Sequence, residues 1–147
     1  ELIEALADKM YANNIKPEIE VFDMAMISNA VFLQKKGVLK GPLQFNLVMN
    51  VPGSIAGTTR NLQFLVDSLP EGSTWQVSGI GSSQVPLLTM AIAMGGNVRT
   101  GLEDVLTMRK GVPATNRMLL ERVLRIADAV GRPIATADEA REYLSLT

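Results

Sequence analysis

Apolar residues recur along this chain with two spacings that alternate. Leu2, Ile3, Leu6, Ala7 and Met10 lie at helical intervals, which predicts a helix over Leu2 to Asn13 closed by Asn13-Asn14. Pro17 to Asp23 alternates with a period of two and predicts a strand, and Met24 to Lys36 returns to helical spacing before Gly37. Further strands are predicted at Leu43 to Asn50, Thr74 to Ile80 and Asn97 to Leu102. Further helices are predicted at Thr58 to Ser68, Val85 to Met94, Asn116 to Val130 and Asp138 to Leu144. Strands and helices in strict alternation, joined by short connections, imply parallel strands in an α/β fold. No linker or low-complexity segment divides residues 1–147, so they are read as a single unit.

The strands share a second property: one face of each is apolar and the other is polar. Glu18, Glu20 and Phe22 oppose Ile19 and Val21; Gln44, Asn46 and Asn50 oppose Phe45, Leu47 and Met49; Gln76 and Ser78 oppose Trp75 and Val77. Strands covered by helices on both sides read instead as continuous apolar runs. A barrel accounts for the pattern, with helices on its apolar outside and polar side chains gathered inside toward the C-terminal mouth. For any one of these residues, pairing with its neighbours in a filled interior is the plainer alternative.

The segment Gly95 to Asp104 sharpens the picture. Continued as a strand, it places Asn97, Arg99, Gly101 and Glu103 on one face and Val98, Thr100 and Leu102 on the other, and ends in two adjacent carboxylates. Unpaired charge is costly to bury. That face is therefore expected to look into a site or to hold a buried ion pair.

Composition narrows the chemistry. The chain is 47% hydrophobic and 20% charged with a formal net charge of −1, which gives no footprint for nucleic acid or an anionic membrane. The apolar stretch Val85 to Met94 is far short of the roughly 18 residues of a membrane span, and a cytoplasmic location is the expectation. Cysteine and histidine are both absent, which excludes disulfides, thiolate metal sites and imidazole catalysis from within this chain.

The run Gly95-Gly96-Asn97-Val98-Arg99-Thr100-Gly101-Leu102-Glu103-Asp104 resembles the signature of the β-keto acid cleavage enzymes, the group typified by 3-keto-5-aminohexanoate cleavage enzyme. Pro17 to Asp23, Gly79-Ile80-Gly81, the turn Gly111 to Asn116 and the stretch Ala135 to Arg141 agree with it in order, so the resemblance covers essentially the whole chain. It implies a TIM (β/α)8 barrel of nearly twice this length, of which the present four β/α units are the C-terminal half: strands five to eight plus the C-terminal helices. Four strands cannot close a barrel and would leave half of its inner face open to water. The expectation is a fragment, a nicked product or one of two chains, with the N-terminal half absent or supplied by another chain. A complete open sheet, or two half-barrels joined as a dimer, is the alternative.

The resemblance also implies a divalent metal, usually zinc, held by two histidines from an early strand and by the glutamate at Glu103. A metal with three protein ligands keeps a position open for the oxygens of a β-keto acid. The N-terminal half would have to bring both imidazoles; a Glu103 paired only with Arg99 is the plainer alternative. By the same resemblance Asp104 is the general base, and Arg99 holds its charge and helps bind the substrate carboxylate. A structural role for Asp104, capping a turn after the strand, is the alternative. Glu20, or less favourably Glu18, would contact the variable end of the substrate.

Gly79, Gly81 and Ser82 leave a strand and enter a helix, an arrangement suited to holding the phosphates of coenzyme A on backbone N–H groups. Two departures touch these assignments: many members carry a basic residue at the position of Ser82, and a histidine is common at that of Asn97. The glycine-rich loop of the family takes the form Asn50 to Gly57 here.

The implied reaction is a Claisen-type exchange in which a small β-keto acid and acetyl-CoA become acetoacetate and a new acyl-CoA, in a homo-oligomer that is commonly a tetramer. Two other readings are a non-catalytic half-barrel serving as an interaction module, and an aldolase-like barrel enzyme acting on a phosphorylated substrate. Among the remaining residues, the methionines and Trp75 are expected in core and interface packing, Thr115 or Asn116 at the cap of the long helix, and Arg117, Arg122 and Arg125 on a solvated face.

Overall fold

Side chains that alternate apolar and polar along four short segments produce a sheet with a helix-packed face and a polar face. In the computed structural model, which describes residues 1–146, the strands are β1 (Glu18–Val21), β2 (Gln44–Met49), β3 (Thr74–Gly79) and β4 (Asn97–Arg99). They are all parallel and lie in chain order β1-β2-β3-β4. Helices α1 (Leu2–Ala12), α2 (Met24–Lys35), α3 (Thr59–Asp67) and α4 (Gln84–Ala93) alternate with the strands, and α5 (Asn116–Val130) and α6 (Ala137–Tyr143) follow. Because parallel crossovers are right-handed, strands added in one direction place the connecting helices on one face. This is singly wound topology, unlike a doubly wound sheet.

The core forms on that face. Val21, Phe45, Leu47, Met49 and Val77 point from the strands into a cluster with Ile27 and Ala30 of α2, Leu62 and Leu65 of α3, and Leu87, Leu88 and Ala91 of α4. Helix starts follow local chemistry: the side chains of Asp23, Thr58 and Thr115 accept from the backbone N–H groups of Met26, Asn61 and Met118. Gly131, at φ 75°, closes α5 in the left-handed conformation that glycine adopts without strain. Thr115 is thus the cap of α5, while Asn116 is its first residue.

Three features differ from the sequence reading. The fourth strand ends at Arg99 rather than Leu102, because the carbonyl of Gly101 accepts from the N–H groups of Asp104 and Val105 and the chain turns there. Asn50 lies beyond β2 with φ 74°, so it does not belong to that strand's polar face. A small antiparallel hairpin, β5 (Thr107–Arg109) and β6 (Val112–Pro113), follows the turn and was not expected. No helix among the described residues is long and apolar enough to cross a membrane.

Candidate active site

The polar face carries two hydrogen-bonded tiers. Nearer the N-terminal ends of the strands, Gln44 and Gln76 donate to the Glu18 carboxylate at 3.0 and 3.2 Å. One tier further along, Ser78 donates to Asn46 at 2.8 Å and Asn46 donates to Glu20 at 3.2 Å. Asn46 and Ser78 are fully buried, so this chain of bonds satisfies groups that would be costly to leave unpaired. Glu18 therefore belongs to a tier of its own, while Glu20 extends toward the C-terminal end.

There Arg99 is the hub. Its Nη2 donates to Asp104 Oδ1 at 2.5 Å, and its Nη1 lies 3.7 Å from Glu20 and 3.8 Å from Glu103. Burial works against the guanidinium charge, but the hydrogen bond to Asp104 and the charges of Asp104, Glu103 and Glu20 outweigh it and raise its pKa above the ordinary value. Asp104 is buried with its side chain 1% exposed, whereas Glu103 stands 82% exposed. The turn explains this opposition. With Asp104 and Glu103 on a turn rather than a strand, the aspartate swings inward onto Arg99 and the glutamate outward.

Three tethers hold the turn. The Gly81 N–H donates to the Asp104 carbonyl at 2.8 Å, the Leu102 N–H donates to Asn116 Oδ1 at 2.9 Å, and Thr100 Oγ1 donates to Gln84 Oε1 at 3.4 Å. Gly79 packs so closely on α4 that a Cβ there would lie 2.8 Å from the Gln84 Cα. Gly79 thus sets the helix against the strand, the Gly81 amide already holds the Asp104 carbonyl, and Ser82 faces an adjoining cleft. That open cleft, of about 630 Å³, runs from Gly81, Ser82, Glu103 and Asp104 to the β5–β6 hairpin.

Arg122 corrects the expectation of a solvated basic face. It is half-buried, donates to Gln84 Oε1 at 2.7 Å and reaches the Met108 carbonyl at 3.4 Å, so it joins α5 to α4 and to the hairpin. Arg117 does fit that expectation: it is exposed and pairs with Glu121. Sequence reasoning missed Gln84, whose side chain is fully buried and whose Nε2 has no partner. The only signal was a glutamine at the start of an otherwise apolar helix.

A zinc centre does not fit the residues of this chain alone. Among the described residues, no group of three or more histidine, cysteine, aspartate or glutamate side chains could hold a metal ion. Glu103 is the more exposed of the two outward carboxylates beside Arg99, at 82% against 49% for Glu20, and its donor set would need completion from outside the chain.

An acid–arginine cluster at the C-terminal ends of a singly wound parallel sheet is where barrel enzymes of the α/β class place their chemistry. The comparisons define the class further. The family model for beta-keto acid cleavage enzyme matches residues 1–146, and the chain belongs to that family. It is 49% identical over 139 residues to a 3-keto-5-aminohexanoate cleavage enzyme of Acetoanaerobium sticklandii, covering 94% of this chain and 51% of the relative. It is 37% identical to a 3-oxoadipate:acetyl-CoA acetyltransferase of Cupriavidus necator, covering 99% of this chain and 53% of the relative. Among solved structures, the binary complex of ObcA with oxaloacetate superposes with a TM-score of 0.70 at 21% identity, covering 97% of this chain and 40% of the other, a likeness of fold. The chain spans about half the length of the curated relatives it matches.

Proposed function

We propose that this chain supplies the Arg99–Asp104 pair of a β-keto acid cleavage enzyme that exchanges a β-keto acid and acetyl-CoA for acetoacetate and a new acyl-CoA. The reading takes the four β/α units as strands five to eight of a barrel whose remaining strands come from elsewhere in the whole protein. Family membership and the acetyl-CoA named in relatives support the reaction class. The observation that carries the site is a buried aspartate fixed on an arginine at the C-terminal end of the sheet.

The chain's own residues have definable work in such a reaction. The C2 proton of a β-keto acid lies between two carbonyl groups and is acidic enough for a carboxylate to accept. Asp104, tethered through its carbonyl by Gly81 and through Oδ1 by Arg99, is the acceptor. The resulting carbanion attacks the thioester carbonyl and expels the CoA thiolate, which adds to the former keto carbon. Cleavage of the carbon–carbon bond then releases the new thioester, and the proton returns from Asp104 to give acetoacetate. Arg99 Nη1 makes only long contacts and so retains capacity to bind the substrate carboxylate. Glu20, ion-paired with Arg99 at 3.7 Å and at the end of the polar tier, faces the variable end of the substrate. Glu18 would contact that end only in substrates long enough to reach the lower tier. Ser82 and the Gly79–Gly81 turn lie where the thioester cosubstrate enters.

Glu103 is the carboxylate that this reading offers to a divalent metal, with both histidines supplied by the other strands. The test is acetoacetate formation by the whole protein from acetyl-CoA and a panel of β-keto acids. Activity with at least one acid that falls about 10²–10⁴-fold in Asp104→Asn supports the reading; equal activity in the variant overturns the assignment of the base.

A further inference from the structure

We infer that Arg109 and Lys110, at the tip of the β5–β6 hairpin, form the binding site for the polyphosphate end of the acyl-thioester cosubstrate. The inference rests on the functional reading above and extends it to a part of the chain outside the Arg99–Asp104 cluster. Three observations on one cleft carry it. The cleft is lined by Glu103 and Asp104, by Val85 and Leu106, respectively 41% and 72% exposed, and by Arg109 and Lys110, and along the chain the two acids, Leu106 and the two cations follow in that order. Coenzyme A thioesters have that order of chemistry, with a reactive carbonyl, a long weakly polar arm and a cluster of phosphates.

The two cations are free for a ligand. Both are exposed, and neither enters a salt bridge among the described residues. Arg122, the third cation of the cleft, is engaged with Gln84 and Met108 and serves instead to hold the hairpin. The hairpin itself is fixed at both ends. Ala114 N–H donates to the Leu106 carbonyl at 2.9 Å, Arg109 faces Val112 across the ladder, and Gly111 at φ 76° completes a tight turn with Lys110. Lys110 lies six positions after Asp104, so the cations lie no more than roughly 20 Å from the base along the chain. An extended arm fits within such a reach. Arginine adds a planar fork that matches phosphate oxygens, while lysine adds a mobile point charge.

The experiment compares two thioesters on the whole protein, acetyl-CoA and S-acetylpantetheine, the second lacking the phosphates. The double variant Arg109→Ala/Lys110→Ala is expected to raise KM for acetyl-CoA about five- to ten-fold, leave kcat within about two-fold, and leave KM for S-acetylpantetheine unchanged. Added salt should raise the wild-type KM for acetyl-CoA and have a weaker effect on the variant. An unchanged KM for acetyl-CoA overturns the inference, as does an equal rise for both thioesters, which would mark a structural role for the hairpin. If the wild-type protein turns over neither thioester, the functional reading falls, and this inference falls with it.

Discussion

The Gly81 amide donates to the carbonyl of Asp104 at 2.8 Å, which links the loop after β3 directly to the turn that carries the buried carboxylate. Gly81 itself has φ 65°, a conformation that costs a residue with a Cβ roughly 1–2 kcal/mol. Gly81→Ala is therefore expected to lower stability by about 1–2 kcal/mol in urea unfolding. Strain at this tether also shifts Asp104, so kcat of the whole protein should fall by up to about 10²-fold. Normal kcat with reduced stability would show that the tether does not position the base.

Gly96 lies against Trp75. A Cβ at Gly96 would overlap the six-membered ring of that side chain. Gly96→Ala should destabilise the chain by about 1–3 kcal/mol through overpacking. Trp75→Phe in the Gly96→Ala background removes the overlapping ring and should recover part of the loss, which thermal melts of the four variants in a double-mutant cycle would measure.

Arg122 anchors a buried acceptor. In Arg122→Leu, Gln84 Oε1 keeps only the long bond from Thr100, on a side chain whose Nε2 already lacks a partner. A loss of about 1–3 kcal/mol is expected. Hydrogen exchange at Met108 and the rest of the hairpin should quicken, since Arg122 no longer reaches the Met108 carbonyl. Unaltered protection of the hairpin would contradict the anchoring role.

The cap of α6 responds to acid. Glu139 accepts from the Thr136 N–H at 2.7 Å and from its hydroxyl at 2.8 Å, and these bonds hold its pKa below the ordinary value of 4.5 despite a small opposing effect of burial. Because the folded value is depressed, the support is present above the unfolded pKa and is lost as pH falls through the folded one. Helical protection in Ala137–Tyr143 should therefore decline as pH drops below about 4.5 and be insensitive to pH over that range in Glu139→Gln. Exchange of α6 amides followed against pH checks both statements.

Much of this architecture could be read from residue order. The one-sided polarity of Glu18, Asn46 and Ser78 announced strands with helices on a single face, and Asp23, Thr58 and Thr115 fixed helix starts to within a residue. The pairing of Arg99 with Asp104 followed from the family resemblance, whereas strand alternation alone put Arg99 on a face with Glu103. What stayed hidden depends on contacts between distant segments. Alternation continues through Thr100 and Leu102, and nothing local reveals that Gly101 turns the chain and sends Glu103 and Asp104 in opposite directions. The hairpin strands are too short to show a period, and Pro113 argues against a strand. Arg122 looked solvated because its partner, Gln84, sits on another helix.

The central claim is that Asp104 accepts the substrate's C2 proton, and hydrogen–deuterium exchange at that carbon tests it most directly. In D2O, the whole protein without acetyl-CoA should exchange the C2 hydrogens of its β-keto acid faster than the uncatalysed background, with Asp104→Asn slower by about 10²-fold or more. Exchange by Asp104→Asn at the wild-type rate would contradict the account.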